Sequence, residues 1–509
     1  MSKVKDAYKE IEKVIGSDYI TDKDFMKAAY SRNVDPAYPD RWADMIVRPE
    51  TPEEISEIVK VANKYKIHMV PRGGGADLVG GSVSEKGILL DLTRMNHIIE
   101  INEDDYYCEV ECGVTWGALV SELHPRGYTS GFVGPGSGYS ATVCGSISNS
   151  SAGFGSTKYG LAPDNCLGVE VVLPNPQGTI VRTGAAANRY AAPFCRYGVA
   201  PDFTGLFMGD VGIMGIKTKA FIRLHPDPPY KALRTYILLK NDYNKVFELA
   251  HKLRKEVGEG IRDMIVIPLI IMQLQASQAE NKPLKRPRLK GPVFSLHLEA
   301  TDPRILEIYT EKVHEIITKD NAAREFEFQE IDPDAELAKD WHFNLKYAFN
   351  YFNAGISAAP PKISCTTCHK VAISAIPEIV QKASEFDVKH RSEFPPGSMS
   401  VYAMILYFLP NGNCVFVGGF IADNVDEQRA IAMNLWHKKL RNQVRYGGVH
   451  YWLGEAISQS IVEAGAYNPE FIKFFKDMKR AVDPNFLLSP TKFHMYSYED
   501  DMSKYIVKE

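Results

Sequence analysis

The sequence has few of the features that mark exported or membrane-embedded proteins. It contains only eight cysteines among 509 residues, too few for a disulfide framework, so we expect reduced thiols and a cytoplasmic protein. The opening segment "MSKVKDAYKE" has no apolar run and does not resemble a secretory signal. The most apolar stretch, "MIVIPLIIM" at residues 264–272, is too short to span a bilayer and predicts a buried strand instead.

The sequence also lacks an excess of charge of either sign. Lysine and arginine total 59 against 63 aspartates and glutamates, a net charge of −4, which argues against nucleic acid as a main partner. There is no internal repeat and no low-complexity segment. With 45% hydrophobic and 24% charged residues, the composition is that of a soluble globular protein with ample core, in two or three domains.

Two segments rich in small residues stand out. The first glycine loop, residues 71–81, reads "PRGGGADLVGG", and the second small-residue segment, residues 134–160, reads "GPGSGYSATVCGSISNSSAGFGSTKYG". Without a Cβ, backbone N–H groups can converge on an anion or lie against a flat ligand. The first glycine loop is not a dinucleotide fingerprint, because Leu78 stands where a third glycine is needed and no helix pattern begins there. Tight turns alone are the alternative explanation for these glycines.

Regular elements are predicted around these segments. Thr51 followed by Pro52 and Glu54 is a helix start, with Thr51 as N-cap. Strands are predicted at residues 67–70, 88–91, 98–101, 107–110 and 168–174, and a further helix at about 115–123.

Several segments resemble, in order and spacing, the FAD-binding domain of the vanillyl-alcohol oxidase and p-cresol methylhydroxylase superfamily. They are "VPRGGGADLVGG", "ATVCGSISNSSAGFGSTKYGLAPDNCLGVEVVLP", "DFTGLFMGDVGIMGIKTKAFIRLHP" and, near the end, "AVDPNFLLSPTKF". The resemblance implies an α+β fold, in which a two-lobed FAD-binding domain (residues 1–225) carries an inserted α+β substrate cap (226–449) and a returning C-terminal segment (450–509). It places the FAD pyrophosphate at the first glycine loop and the flavin along the second small-residue segment. By position, the implied FAD contacts are Pro71, Arg72, Gly73, Gly74, Gly75, Ala76, Asp77, Thr142, Gly145, Asn149, Gly153, Tyr159, Gly160, Gly212 and Gly215.

The sequence departs from the superfamily's patterns at three places. Where some members attach the flavin through histidine or cysteine, this chain has Ala76 and Ser140, so no covalent bond is expected there; attachment through a cap residue stays open. Where the D-lactate and glycolate group supplies metal-binding histidines, it has Phe408 and Val415, so no metal site is expected. The Tyr-Arg pair that binds phenolate in the alkylphenol-oxidising branch is replaced by Ala456-Ile457.

Two further motifs carry chemistry. "CTTCH", residues 365–369, matches c-type haem attachment, but thiols in a loop or cavity wall are the favoured interpretation. "RYGGVHYWLGEA" brings together His450, Tyr451 and Glu455 where the chain re-enters the FAD-binding domain, which makes them the proton-handling candidates. In an extended segment only one of His450 and Tyr451 can face the flavin, and we favour Tyr451. Structural roles are the alternative, in which case His342, Tyr347 and His369 are the next candidates.

These observations predict an FAD-dependent oxidoreductase that transfers a hydride from an alcohol, hydroxy or alkyl-aromatic carbon to flavin N5. The electrons then pass to oxygen or to an acceptor protein. The alternatives are a D-2-hydroxy-acid dehydrogenase of the lactate and glycolate type without the usual metal, a nicotinamide-fed reductase, and a flavin-fold electron-transfer subunit of a larger complex. The sequence leaves the substrate and a homo-oligomeric state open.

Overall fold

The computed structural model describes residues 2–37, 39–198, 200–238, 243–268, 292–322, 328–330, 362–451 and 454–508. His342 and Tyr347 lie outside these ranges. Within them, no helix is long and apolar enough to cross a membrane. All eight cysteines are described, and all are free thiols.

The first lobe is a four-stranded sheet with helices on its surface. Its elements are α1 (Ser2–Ile15), β1 (Ile20–Thr21), α2 (Asp24–Ala28), β2 (Met45–Val47), α3 (Pro52–Tyr65), β3 (Met69–Arg72) and β4 (Ile88–Asp91). The strand order is β1-β2-β4-β3, with β2, β4 and β3 parallel. The predicted helix start is confirmed, since Thr51 Oγ1 accepts the N–H of Glu54 at 3.1 Å. Strand β3 delivers the chain directly into the first glycine loop.

The second lobe is an antiparallel sheet in the order β5-β6-β10-β8-β9. Its elements are β5 (Ile98–Asn102), β6 (Tyr107–Glu111), α4 (Trp116–Leu123), β7 (Tyr128–Thr129), α5 (Val143–Ser148), α6 (Ser156–Tyr159), β8 (Cys166–Val172), β9 (Ile180–Arg182), β10 (Ile216–Arg223) and β11 (His225–Pro226). The five strands and two helices predicted around the two segments are therefore all present. Both lobes contribute to one hydrophobic core, which includes Val59, Leu90, Trp116 and Val169.

In the residues that the structure describes, the cap is an antiparallel sheet of eight strands in the order β15-β12-β14-β13-β17-β18-β16-β19. Its elements are β12 (Tyr230–Leu238), α7 (Tyr243–Glu256), β13 (Ile261–Pro268), β14 (Pro292–Ala300), α8 (Pro303–Ala322), β15 (Phe328–Glu330), β16 (Lys362–Ala372), α9 (Ile376–Lys389), β17 (Met399–Phe408), β18 (Asn413–Asp423), α10 (Asp426–Arg445) and β19 (Val449–His450). The apolar run at 264–272 begins inside β13, as predicted, and its last four residues lie outside the described ranges.

After the cap, the chain returns to the first lobe through α11 (Glu455–Ala464) and α12 (Pro469–Val482). Residues beyond α12 then pair with β3: Met69 N–H donates to Leu487 O, and Ser489 N–H donates to Met69 O, both at 2.8 Å. This return is the arrangement that the resemblance implies. The C-terminal segment thus supports the strand that precedes the first glycine loop.

The two faces of the cap sheet differ in character because side chains alternate along each strand. One face, with Phe294, Leu296, Phe408 and Phe416, packs into the cap's own apolar core. The opposite face carries Asp263, His297, Glu299, Tyr407 and Val415, as the strand registers place them. Helix α6 of the second lobe packs on this polar face at β13.

Candidate functional site

A groove enclosing about 920 Å³ lies between the first glycine loop and α5. It is lined by backbone and small side chains from both small-residue segments and from the turn before β10. Eleven of the fifteen predicted FAD contacts border this groove: Pro71, Gly73, Gly74, Gly75, Ala76, Asp77, Thr142, Gly145, Asn149, Gly212 and Gly215. The structure therefore brings the two segments together around one elongated space.

The groove walls are close-packed backbone that side chains would fill. A Cβ on Gly74 would lie 1.6 Å from the carbonyl oxygen of Ser140, so the two segments touch through bare backbone. Gly75 and Gly212 have φ of +64° and +68°, a region that favours glycine. The buried Oδ1 of Asn149, in the groove wall, has no hydrogen-bond partner among the described residues. Both features fit a large ligand with hydrogen-bond donors, such as FAD.

The charged side chains that border the groove, Asp77 and Lys217, already bond to other groups of the protein. Asp77 accepts the N–H groups of Val79 at 3.1 Å and Gly81 at 2.7 Å, so its carboxylate fixes the shape of the first glycine loop. Lys217 borders the groove and pairs with Asp210 at 2.5 Å. Behind it, Lys492 donates to Val211 O at 2.6 Å, and burial lowers its pKa to about 8.

The other four predicted contacts do not border the groove. Arg72 turns back to donate to Ser82 O at 3.0 Å. A Cβ on Gly153 would lie 2.2 Å from Gly134 O, and the Tyr159 hydroxyl donates to Glu299 at 2.8 Å. Gly160 takes a φ of +84° at the end of α6. These residues pack the wall or contact the cap, which residue spacing alone does not reveal.

A second cavity adjoins the groove on the cap side. Ala76, Pro135 and Ser137 border both spaces. The remaining walls are Leu78, Gly136, Ala152, Tyr407, Val415, Val417 and Tyr451. The described wall is thus apolar except for one serine and two phenols, and it is the natural place for a substrate beside a ligand in the groove.

The structure separates the three proton-handling candidates. Tyr451 borders the second cavity, but its hydroxyl accepts the N–H of Ala152 and also donates to Ala152 O at 3.2 Å. His450 lies on the opposite side of the strand beside Tyr467, 3.1 Å from its hydroxyl, and burial lowers its pKa to about 3. Glu455 begins α11 and pairs with Arg41 at 3.5 Å. Only Tyr451 of the three therefore faces the cavity, and its hydroxyl is already engaged.

Tyr407 is the cavity residue that the sequence interpretation missed. It is buried and pairs across the β17–β18 hairpin with Val415, while the neighbouring Phe408 points into the cap core. No hydrogen bond joins its hydroxyl to another described residue, and burial, together with the charge of Asp263, raises its pKa well above the usual value. Strand alternation would have found it, because Tyr407 and Phe408 must face opposite ways.

The "CTTCH" motif is the central part of strand β16. Cys365 and Cys368 are three residues apart, so they point to opposite faces of the sheet and cannot hold one haem between them. Burial raises the pKa of both thiols well above the usual value, and it lowers the pKa of the buried His369 to about 3. Among the described residues, no group of three or more His, Cys, Asp or Glu side chains is placed to hold a metal ion.

Most residues that line the groove lie in a part of the chain that matches a known family. Residues 43–184 match the family described as FAD binding domain. The chain is 32% identical over 230 residues to the glycolate oxidase subunit GlcD of Bacillus subtilis, covering 45% of this chain but only 46% of that protein. It is 24% identical to a probable mitochondrial D-lactate dehydrogenase of Danio rerio, covering 89% of this chain and 84% of that one.

Solved structures match over nearly the whole chain. The 4-ethylphenol oxidase of Gulosibacter chungangensis superposes with a TM-score of 0.82 at 19% identity, covering 97% of this chain and 98% of that one. A p-cresol methylhydroxylase with substrate bound gives a TM-score of 0.81 at 18% identity, with 98% of each chain covered. At these identities the likeness concerns the fold. Residues 43–184 therefore form an FAD-binding domain, and the chain as a whole has the fold that p-cresol methylhydroxylase and 4-ethylphenol oxidase share.

Proposed function

We propose that the protein oxidises a small, mostly apolar alcohol or alkyl-aromatic compound in the second cavity, by hydride transfer to FAD held in the groove. The observation that carries the proposal is the pair of adjoining spaces: the groove has backbone walls, while the cavity beside it is lined by six apolar side chains, one serine and two phenols. When bound, FAD supplies the hydride-accepting centre that no amino-acid side chain provides.

The chain's own residues bind, orient and exclude water. Gly73, Gly74 and Gly75 let backbone N–H groups approach the ligand, and Asp77 holds that loop in shape. Leu78, Val415 and Val417 keep the cavity apolar, which strengthens the hydrogen bonds made inside it. Tyr407 holds a proton at its hydroxyl, and this group is available to the substrate oxygen.

The wall favours a neutral substrate. Among the described residues that border the cavity there is no lysine, arginine or histidine. Phe408, at one of the metal-histidine places of the hydroxy-acid group, is turned into the cap core, and Val415, at the other, presents an apolar side chain. A carboxylate in this wall would be desolvated without a partner, at a cost of several kcal/mol.

A D-2-hydroxy acid is the second candidate substrate. It is supported by the names of the relatives, a glycolate oxidase subunit and D-lactate dehydrogenases, which match this chain at 32% identity or below. For this substrate, the carboxylate would have to be held by residues outside the described cavity wall.

We further propose that FAD is bound without a covalent bond at Ala76 or Ser140. Ala76 offers only a methyl group, although it borders both spaces. Ser140 uses its hydroxyl to donate to Ser137 O at 3.2 Å. Neither side chain carries an imidazole or a thiol, the groups through which the superfamily's flavin is attached at these places.

Anaerobic flavin bleaching tests the substrate class. Purified protein is mixed without oxygen with benzylic alcohols, 4-alkylphenols, D-lactate, glycolate and NADPH, and loss of the oxidised flavin band is timed. We expect a neutral alcohol or alkylphenol to reduce the flavin at least tenfold faster than either hydroxy acid or NADPH. Faster bleaching by D-lactate or glycolate would establish the second candidate, and bleaching by NADPH alone would show a reductase.

A further inference from the structure

Residues 152–159, which we call the junction segment, are joined to the cap by a row of hydrogen bonds. The segment belongs to the FAD-binding domain, yet its backbone and side chains make hydrogen bonds to four residues of the cap and the returning segment. Ala152 bonds to the Tyr451 hydroxyl, Gly155 N–H donates to Asp263 at 2.7 Å, Thr157 Oγ1 accepts Met264 N–H at 2.9 Å, and Lys158 and Tyr159 each donate to Glu299 at 2.8 Å.

The junction segment also packs behind the wall that the two spaces share, and its Ala152 borders the second cavity. Phe154 pairs with Gly134, and its N–H donates to Gly134 O at 3.1 Å while its carbonyl accepts Val133 N–H at 3.0 Å. Pro135, which follows Gly134 in the chain, borders both the groove and the cavity. The contact is close, since a Cβ on Gly155 would lie 1.9 Å from Gly131 O. A shift of the junction segment therefore displaces the residues that line the groove.

Two buried carboxylates hold this arrangement from the cap side. Asp263 is 2% exposed, and its Oδ2 has no hydrogen-bond partner among the described residues; His297 Nδ1 lies 3.7 Å away. The Glu299 side chain is fully buried, and it pairs with Lys158 at 2.8 Å and with Arg262 at 3.4 Å. Buried carboxylates are costly unless they are paired or make specific hydrogen bonds. Asp263 accepts its hydrogen bond from the junction segment, and Glu299 accepts two from the junction segment besides the one from Arg262.

We propose that Asp263 and Glu299 are positioning residues that couple cap docking to FAD retention, although neither borders the groove. They hold the junction segment in the position that gives the groove its shape, so the folded cap is a requirement for tight cofactor binding. Because linkage is reciprocal, bound FAD in turn stabilises the contact between cap and FAD-binding domain. The proposal requires that the protein binds FAD, but it does not depend on which substrate the protein oxidises.

Cofactor affinity of cap variants tests the proposal. Apoprotein is titrated with FAD, and the dissociation constant is read from quenching of flavin fluorescence. Asp263→Ala removes the acceptor of Gly155 N–H, whereas Asp263→Asn retains an oxygen at that place. We expect the dissociation constant for FAD to rise at least tenfold in Asp263→Ala and to return to within threefold of wild type in Asp263→Asn. Amide exchange of peptides covering 151–160 is expected to quicken in the alanine variant only.

Asp387→Ala is the matched control. Asp387 is also a buried cap carboxylate, but it lies on α9 and pairs with Lys439 at 2.7 Å, away from the junction segment. Its loss is expected to lower cap stability and leave the FAD dissociation constant within twofold. If Asp263→Ala does not fold, Glu299→Gln takes its place, and we expect its dissociation constant for FAD to rise threefold or more. Wild-type FAD affinity in the folded variants, or an equal rise in Asp387→Ala, would overturn the coupling. The FAD titration does not use flavin reduction by a substrate. It can therefore refute the coupling between cap and cofactor without bearing on the proposed substrate.

Discussion

The two phenols that border the second cavity, Tyr407 and Tyr451, allow a sharp test, because the structure predicts a different effect for the loss of each hydroxyl. Tyr451 gives its hydroxyl to the backbone of Ala152, whereas Tyr407 makes no hydrogen bond to another described residue. Each is changed to phenylalanine, which removes one oxygen atom and leaves the ring in place. Both side chains are nearly fully buried, so the pair is matched in environment.

These contacts determine the expected changes in stability and in the rate of flavin reduction. In Tyr451→Phe the buried N–H of Ala152 loses its partner, which costs about 1–3 kcal/mol of stability. In Tyr407→Phe no described hydrogen bond is lost, so the free energy of unfolding should change by less than about 0.5 kcal/mol. If the protonated Tyr407 hydroxyl donates a hydrogen bond to the substrate oxygen and so orients the substrate, its loss slows flavin reduction by roughly 10²-fold.

The assay combines stability with single-turnover kinetics. Thermal unfolding is followed for each variant, flavin content is measured, and anaerobic reduction by the best substrate is timed by stopped flow. We expect Tyr407→Phe to keep the wild-type melting temperature and lose at least a hundredfold in the reduction rate, and Tyr451→Phe to melt lower with a smaller kinetic loss. Wild-type reduction by Tyr407→Phe with FAD bound would refute the role of the Tyr407 hydroxyl in orienting the substrate.

Four other outcomes are expected. Acid precipitation should release the flavin into the supernatant, and a yellow pellet would reveal a covalent bond. Gly74→Val should abolish FAD retention, since its Cβ would collide with Ser140 O at 1.6 Å, whereas Gly258→Val, with no atom within 4 Å of the added Cβ, should retain it. Burial lowers the pKa of His369 and His450 to about 3, so both stay neutral in the fold, and stability is lost as pH falls below about 6.5. At pH 5 the loss is about 2 kcal/mol for each histidine, measurable by urea unfolding; a pH-independent unfolding midpoint between 7 and 5 would contradict it. Exhaustive chelation should leave turnover unchanged, and the spectrum should lack a Soret band; metal-dependent turnover would indicate a hydroxy-acid dehydrogenase.

The features that the sequence predicted well depend on local interactions. The start of α3 needs only the Thr51 side chain and a neighbouring N–H, and the strands around the first glycine loop follow from short apolar runs. The bare-backbone groove is also a local feature, because the small residues of the two segments leave their own backbone N–H groups uncovered.

The features that it missed depend on which strands become neighbours. Tyr407 reaches the cavity only because β17 pairs with β18 and the cap sheet turns that face toward the groove. Tyr159 bonds to Glu299, which is 140 residues away in the chain. His450, Tyr451 and Glu455 are close in sequence, yet a strand and a helix start send them in three directions. Residue spacing carries no information on such pairings.

The pairing of β3 with residues 487–489 has a consequence for how the protein is made. Met69, two residues before the first glycine loop begins, exchanges hydrogen bonds with Leu487 and Ser489. On the opposite wall, Lys492 donates a hydrogen bond to the carbonyl of Val211. During synthesis, every other part of the groove emerges from the ribosome long before these C-terminal residues do. The groove can therefore take its final shape only after residues 487–492 have been made, long after the first glycine loop.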